Sequence, residues 1–337
     1  MEQSKQSGRN RLLVLVGITI SVIFLWLAFR GLQPAAFLES LAEVNVGLLL
    51  LAAATYFIAV LIIAWRWQFL LMTVRTIALG ALARIVAIGY MGNNVYPLRA
   101  GEALRIFLLQ RDHRVPVSAA ATTVVVERVF DGIVMLTFLV LGLLAMDIQS
   151  PELQLVLTLG APLFGVAVLV FIVLAAFPDV LGRVVRTVSQ WLPTALGDLL
   201  QTVSDGVLEG LTSLRSPLHL LGAVGASYGT WAVEAFVYWM VMWAFGLELG
   251  YPVALLVVGA VNLAGLIPAS PGNVGVYEFF ASLVLVAVGI GQDTALAYAI
   301  VVHIVIWLPI TLVGFGALIQ QGLGWADIGK ARELETS

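Results

Sequence analysis

Ionisable side chains interrupt the apolar runs of this sequence, and their spacing suggests chemistry. Arg99, Glu102 and Arg105 follow one another at three-residue steps, which places them along one face of a helix. Glu127 lies nine residues into the apolar run that begins at residue 118, at a depth of about 13.5 Å. A charge at the centre of a bilayer costs about 2.5 to 3.5 kcal/mol on insertion scales. Such residues therefore line a cavity, bind a ligand or neutralise one another.

Arginine is the side chain best suited to bidentate recognition of phosphate. A lipid phosphate is accordingly a plausible ligand for Arg99, Arg105 and Arg128. Acidic side chains nearby would orient these arginines or carry protons for coupling, and they are Glu102, Glu127 and Asp131. Ion pairs that only fix the register of the helices are the alternative, and the sequence leaves both interpretations open.

The composition excludes a soluble fold. Hydrophobic residues make up 61% of the 337 residues and charged residues 11%, with a mean hydropathy of +1.02. Soluble chains carry about 25% charged residues. Cysteine is absent, which excludes disulfides and cysteine-based metal or redox sites. The three histidines show no ligand spacing, so we expect no metal and no cofactor. A membrane lipid is the expected partner, and nucleic acid is not.

The apolar runs predict an all-α polytopic membrane protein that forms a single transmembrane domain. Six full spans are predicted, at 12–30, 47–67, 118–145, 154–176, 219–246 and 294–319. Thirteen of the 17 Lys and Arg residues fall on one side of these spans, which predicts the inner cell membrane with both termini in the cytoplasm. The first span is interpreted as an uncleaved segment, and Trp65-Arg66-Trp67 as an interfacial anchor.

Two further apolar stretches, 84–111 and 252–291, must leave and return on the same side, which predicts re-entrant hairpins. They enter from opposite faces of the membrane. The first hairpin has Asn93, Pro97 and Gly101 around its bend, and the second has the same order of residue types at Asn262, Pro268 and Gly272. Such bends free backbone groups that must find a ligand, water or a side chain, although a plain kink is the simpler interpretation.

Each bend is followed by a glutamate, and 25 residues further on comes another polar residue. These pairs are Glu102 with Glu127 and Glu278 with His303. The spacing predicts an inverted-topology repeat, with one copy at about 12–145 and the other at about 154–320. Transporters built in this way bind substrate where the broken helices meet. Glu234 also lies near the middle of a span, and the sequence leaves open whether it faces the same cavity. Residues 178–217 are predicted to form helices on the cytoplasmic interface.

Three segments resemble the signatures of the lysylphosphatidylglycerol synthase transmembrane, or flippase-like, family: PLRAGEALR at 97–105, VVVERVFD at 124–131 and IPASPGNVGVYE at 267–278. The resemblance covers about residues 12–320. It implies a lipid-handling membrane domain, which in other members flips aminoacylated phosphatidylglycerol made by a separate cytosolic domain. We expect a stand-alone member without that domain, with a lipid-modifying enzyme as a candidate partner.

The sequence favours a translocase for a phosphate-bearing lipid head group, such as an anionic or aminoacylated phospholipid or a polyprenyl phosphate. A membrane transferase acting on a lipid, a transporter of a small anion and an accessory subunit are the alternatives. Because no DxD pair, P-loop or GxSxG elbow is present, we do not expect an enzyme. The predicted substrate-binding residues are Asn93, Pro97, Arg99, Gly101, Glu102, Arg105, Glu127, Arg128, Asp131, Asn262, Pro268, Ser270, Gly272, Asn273, Glu278 and His303.

Overall fold

A computed structural model describes residues 2–72, 74–96, 100–145, 178–194, 196–198, 200–201, 205 and 217–322 of the chain. Every regular element in these ranges is helical, which confirms the all-α class. The elements are α1 Glu2–Phe29, α2 Pro34–Ala42, α3 Val46–Leu71, α4 Leu79–Val95, α5 Ala100–His113, α6 Val117–Leu144, α7 Pro178–Ser189, α8 Pro217–Ala244, α9 Tyr251–Ala264, the 3₁₀ turn η1 Pro271–Asn273, α10 Val276–Ala287 and α11 Gln292–Gln320.

Three described helices are long and apolar enough to cross a membrane: α3, α8 and α11. A fourth span results if α1 and α2, which meet at a bend of 87°, are taken together. Helix α6 has 28 residues but carries Glu127, Arg128 and Asp131 within its length, which lowers its apolar character. The chain is a multi-pass integral membrane protein.

A long helix occupies five of the six predicted spans, since 12–30, 47–67, 118–145, 219–246 and 294–319 coincide with α1, α3, α6, α8 and α11. The predicted span 154–176 lies outside the described residues. The membrane crossings, their direction and the inverted repeat stay predictions. The predicted loop at 31–46 contains the short helix α2, which begins at a proline in its first turn, a favourable position for that residue.

Both predicted hairpins are broken helices whose two halves pack against each other. We call residues 79–113, with helices α4 and α5, the first broken segment, and residues 251–287, with α9, η1 and α10, the second. The helix boundary lies five residues earlier than the predicted start of the first hairpin at 84. In the second break, Gly272 and Gly275 have φ of 69° and 92°, which glycine adopts readily. The side from which each segment enters the membrane stays a prediction.

The helices pack as pairs that bring the two halves of the chain together. Helix α8 lies along α3, α9 lies along α6, and α11 lies along α4. Gly101 shows how close the approach is, because a Cβ added there would overlap the carbonyl oxygen of Gly89. Helix α7 confirms helical structure in part of the predicted interfacial region, where Val185 is buried, while Trp191, two residues beyond the end of α7, is exposed. Most of the rest of 178–217 lies outside the described residues, and its interfacial position stays a prediction.

Candidate functional site

The two breaks lie side by side. A Cβ built on Gly272 of η1 would lie 3.4 Å from the carbonyl oxygen of Asn94, at the end of α4. The amide of Asn94 donates to the hydroxyl of Thr311 at 2.8 Å, which ties the first broken segment to α11. The indole nitrogen of Trp307, on α11, also borders Gly272. The two breaks are therefore close enough to border one binding site.

A cavity of about 450 Å³ lies between the breaks. Nine of the predicted site residues line it: Asn93, Arg105, Arg128, Asn262, Pro268, Ser270, Gly272, Asn273 and His303. Five others do not line it, and they are Gly101, Glu102, Glu127, Asp131 and Glu278. Pro97 and Arg99 lie outside the described residues. The volume is that of a small-molecule pocket.

Glu127 is the centre of a buried charge cluster behind the cavity, and its side chain is only 1% exposed. Arg105 of α5 donates two hydrogen bonds to it, at 2.7 and 2.9 Å. Arg128 donates another at 2.7 Å, and a nitrogen of Arg66 on α3 lies 3.3 Å away. One carboxylate thus joins three helices through three arginines. Because no bulk solvent reaches it, this pairing offsets the cost of burying each charge.

Asp131, one turn along α6, completes the cluster. It accepts hydrogen bonds from Arg66 at 2.5 Å and from the indole of Trp231 on α8 at 2.8 Å. A nitrogen of Arg128 lies 3.6 Å from its other oxygen, and another lies 3.6 Å from Glu102. The three arginines and three carboxylates of this cluster cancel in charge. The ion-pair interpretation therefore explains most of these side chains.

Arg105 and Arg128, which were both predicted to bind phosphate, differ in how accessible their side chains are. The guanidinium of Arg105 stacks 4.0 Å over the ring of Trp67, and its side chain is 3% exposed. The side chain of Arg128 is 37% exposed, lines the cavity and has no hydrogen bond from its Nε. Arg128 is accordingly the arginine of this cluster that can bind a ligand without first breaking its own pairs.

The interpretation of Trp65-Arg66-Trp67 as an interfacial anchor was wrong for two of its three residues. Arg66 is 1% exposed and Trp67 is fully buried, whereas Trp65 is 47% exposed. Arg66 was also one of the 13 positive residues that were assigned to one side of the spans, although α3 continues past it to Leu71. The physical reason is the acidic pair on α6, which supplies Arg66 with partners inside the helix bundle.

The second broken segment has its own buried pair. Nδ1 of His303 lies 2.6 Å from Glu278, whose other oxygen accepts the amide N–H of Gly275 at 2.5 Å. The imidazole stacks on Tyr277 with ring centroids 4.1 Å apart. Because Glu278 engages Nδ1, Nε2 is the ring nitrogen that can serve a ligand in the cavity. Glu278 and His303, which are 25 residues apart in the sequence, are thus in direct contact. The other two residues with this spacing, Glu102 and Glu127, both lie near Arg128.

Helix α1 closes one side of the site. The hydroxyl of Ser21 donates to that of Ser270 at 2.8 Å and accepts the Ser270 amide N–H at 2.9 Å. Gly17 faces the carbonyl of Ala269, so closely that a Cβ there would lie 2.8 Å from the oxygen. Val16, one residue earlier, lines the cavity itself. The first helix therefore depends on small residues for its contact with the second break.

Several cavity residues were not predicted to be in the site. Glu234, a mid-span acid whose orientation the sequence left open, lines the cavity. Seven more are aromatic, namely Tyr56, Tyr90, Tyr96, Trp231, Tyr238, Tyr277 and Trp307, and the rest are Asn94 and small or apolar residues. Aromatic side chains make up 10% of the chain, so their type alone gave no signal.

Comparisons with known proteins agree with this architecture. The model of the family described as "Lysylphosphatidylglycerol synthase TM region" matches residues 14–314. A protein of Haloferax volcanii named "Glycosyltransferase AglD" is 25% identical over 328 residues, which cover 88% of this chain and 52% of that protein. A UPF0104 membrane protein of Pyrococcus horikoshii is 24% identical over 336 residues, covering 94% of this chain and 98% of that protein.

A UPF0104 membrane protein of Methanothermobacter thermautotrophicus is 24% identical over 244 residues, covering 68% of this chain and 71% of that protein. The chain thus spans about half of the length of the Haloferax protein and nearly all of the Pyrococcus protein. The family match covers the helices, both breaks and the cavity between them. This chain belongs to the lysylphosphatidylglycerol synthase transmembrane family.

Proposed function

We propose that this protein moves a lipid across the membrane by passing its phosphate-bearing head group through the cavity between the two broken segments. The observation that carries the proposal is the partly exposed side chain of Arg128, which lines a cavity inside a helical membrane protein. An arginine in such a position is costly unless it is paired or serves a ligand. The substrate would be an anionic or aminoacylated phospholipid or a polyprenyl phosphate.

The acidic side chains around Arg128 hold it in place but leave part of its hydrogen-bonding capacity free. Among the described residues, Arg128 has one short ion pair, with Glu127, and its other guanidinium nitrogens lie 3.6 Å from Glu102 and from Asp131. A phosphate could take the remaining donors of the planar guanidinium, whose geometry suits two oxygens at once. His303 lines the same cavity from the other broken segment and offers Nε2 to a second oxygen.

The size of the cavity limits which part of a lipid it takes. A volume of about 450 Å³ suits a head group, and it leaves no room for two acyl chains. The chains would stay in the bilayer beside apolar outer surfaces such as that of α1, where Leu15, Val22 and Trp26 are exposed. Head-group passage with the chains outside is the mode of movement that this arrangement supports.

The test is lipid movement in vesicles that contain the purified protein. Short-chain fluorescent phosphatidylglycerol and a labelled polyprenyl phosphate would be followed by quenching the label in the outer leaflet. Wild type is expected to expose inner-leaflet label, and Arg128→Gln to slow this at least about tenfold, as expected for the loss of a charge-assisted bond of about 1.5 to 3 kcal/mol. Arg84→Gln is the control, since Arg84 is exposed and, within the part of the chain that the structure describes, its side chain bonds only to the carbonyl of Gly80.

Two outcomes would overturn the proposal. Folded wild-type protein that moves neither lipid would contradict it directly. Uptake of radiolabelled glycerol phosphate or inorganic phosphate without lipid movement would instead identify a transporter of a small anion, because both classes of substrate present the same phosphate oxygens to Arg128.

A lipid-acting transferase is a second candidate, which the name of the Haloferax relative favours. That relative is about twice as long as the matched region, so its activity is not carried over from the match alone. Incubating the protein with polyprenyl phosphate and nucleotide sugars would test it. A glycosylated lipid product that forms with wild type and not with Arg128→Gln would favour the transferase, and its absence under conditions that support lipid movement would exclude it.

A further inference from the structure

Glu234 is a buried acid that the charge cluster does not use. It lies in the middle of α8, is 5% exposed and lines the cavity. It makes no hydrogen bond or ion pair with any of the residues that the structure describes. Its position differs in this respect from Glu127 and Glu278, which are held by arginines or by histidine.

The groups around Glu234 come from every helix that borders this part of the cavity. Tyr56 of α3, Tyr90 of α4, Tyr238 of α8 and Tyr277 of α10 lie within its electrostatic reach, and Tyr251 of α9 bonds to the carbonyl of Ala232, two residues before it. These phenols are neutral hydroxyl groups. The charged or titratable neighbours are Asp131 and Arg128 of α6, Arg105 of α5 and His303 of α11.

These neighbours leave no cation for Glu234 once a head group is bound. Arg105 is paired with Glu127, Asp131 is paired with Arg66, and the phosphate would take the remaining donors of Arg128. An ionised Glu234 would therefore stand as an uncompensated negative charge in a cavity that we propose binds a phosphate. Two like charges in one poorly solvated site repel each other strongly. The carboxyl group must consequently carry a proton whenever the head group is bound.

We propose that Glu234 takes up one proton together with the anionic head group, so that lipid movement is coupled to proton movement in the same direction. The inference rests on the proposed function. The proton comes from water on the side where the head group binds, adds to the carboxylate to form the neutral acid, and returns to water when the head group leaves on the other side. Binding is reciprocal, so the anion raises the affinity for the proton and the proton raises the affinity for the anion.

The first experiment measures direction. Vesicles with wild-type protein and labelled phosphatidylglycerol are given a pH difference of one unit, and the steady-state share of label in each leaflet is compared with that at equal pH. One proton per lipid predicts a shift of up to about tenfold toward the alkaline side. Glu234→Gln mimics the protonated acid permanently and should abolish the shift, whatever its rate. Glu248→Gln is the matched control, since Glu248 is exposed just beyond the same helix.

A second measurement does not need transport. Binding of dihexanoyl phosphatidylglycerol to detergent-purified protein is followed by calorimetry at several pH values from neutral to alkaline, where the buried carboxyl group ionises, in buffers of different ionisation enthalpy, which reports the protons taken up on binding. Wild type should take up protons, and Glu234→Gln should take up fewer while still binding the probe. If His303→Gln removed the uptake and Glu234→Gln did not, the proton would belong to the histidine, and the proposal for Glu234 would be wrong.

Failure of this inference can be told apart from failure of the proposed function. If Arg128→Gln slows lipid movement but the pH difference does not change the distribution of the label, the proposed translocase function would stand and the proton coupling would be wrong. Absence of lipid movement together with absence of probe binding would overturn both. Proton uptake equal in wild type and Glu234→Gln would overturn the coupling whatever the transport assay gave.

Discussion

Arg105 donates two parallel hydrogen bonds to Glu127, while its guanidinium plane lies over the buried ring of Trp67. The arginine is therefore fixed on one side by a carboxylate and on the other by an aromatic face. Breaking such a pair by removing one partner leaves a buried charge without compensation. This arrangement gives Arg105 a role in stability even though it also lines the cavity.

Replacing Glu127 should cost more stability than replacing Arg105. Glu127→Ala leaves three arginines without their shared acid, whereas Arg105→Ala leaves Glu127 paired with two others. Loss of one partner of a buried pair costs about 3 to 5 kcal/mol. The midpoint of thermal unfolding in detergent should fall for both variants, and furthest for Glu127→Ala. Glu248→Ala, at an exposed loop position, should leave it unchanged. The reverse order of the two cluster variants would contradict the central role of Glu127.

The ring of Trp67 and its N–H should contribute separately. The indole nitrogen donates to the hydroxyl of Thr123 at 3.0 Å, and the ring face stacks against the guanidinium of Arg105. Trp67→Phe keeps an aromatic face but loses the hydrogen bond, so a loss of about 1 kcal/mol is expected. Trp67→Leu also loses the cation–π contact and leaves a void, so its loss should be clearly larger. Equal unfolding midpoints for the two variants would show that the aromatic face adds nothing.

Two glycines of α11 should respond oppositely to alanine. A Cβ on Gly314 would overlap the backbone carbonyl of Ala87 and the side chain of Met91 on α4, while a Cβ on Gly316 would meet open space. Gly314→Ala should therefore destabilise by about 1 to 3 kcal/mol through overpacking. Gly316→Ala should be neutral or slightly stabilising, because alanine favours helix. Unfolding midpoints check this, and a tolerated Gly314→Ala would contradict the close packing of α11 on α4.

A disulfide can test where α1 lies. The hydroxyl oxygens of Ser21 and Ser270 are 2.8 Å apart, and the chain has no cysteine of its own. The double variant Ser21→Cys with Ser270→Cys should form a disulfide on mild oxidation, seen as protection of both thiols from a maleimide reagent. Ser21→Cys with Ser282→Cys is the control, since Ser282 lies on α10 and bonds within that helix. Cross-linking in the control alone would place α1 elsewhere.

The periodic spacing of polar residues was the most informative feature of the sequence. The shared offset of 25 residues was the basis for predicting a repeat, and the structure adds that Glu278 and His303 lie 2.6 Å apart. The Pro and Gly positions anticipated both breaks, because Pro removes a backbone donor and Gly tolerates a sharp turn. Such features are local, and they depend on the order of residues along the chain alone.

Partners across helices could not be read in the same way. Arg66 and Asp131 are 65 residues apart, and only the packing of α3 against α6 brings them together. The orientation of Glu234 toward the cavity depends on the rotation of α8, which a nearly uniform apolar helix does not specify. The aromatic lining of the cavity had no sequence signal for the same reason.

The buried pair of Arg66 and Asp131 also has a consequence for how the chain is made. Arg66 leaves the ribosome 65 residues before its acidic partner, so the insertion machinery must accept α3 while this arginine is still unpaired. The cost falls on α3 alone at that moment, and it stays below the value of about 2.5 to 3.5 kcal/mol for a charge at a helix centre because Arg66 lies five residues before the end of α3. Of the three described helices that are long and apolar enough to cross a membrane, α3 is the most apolar. Its hydrophobicity can offset the cost of the unpaired arginine until α6 is inserted.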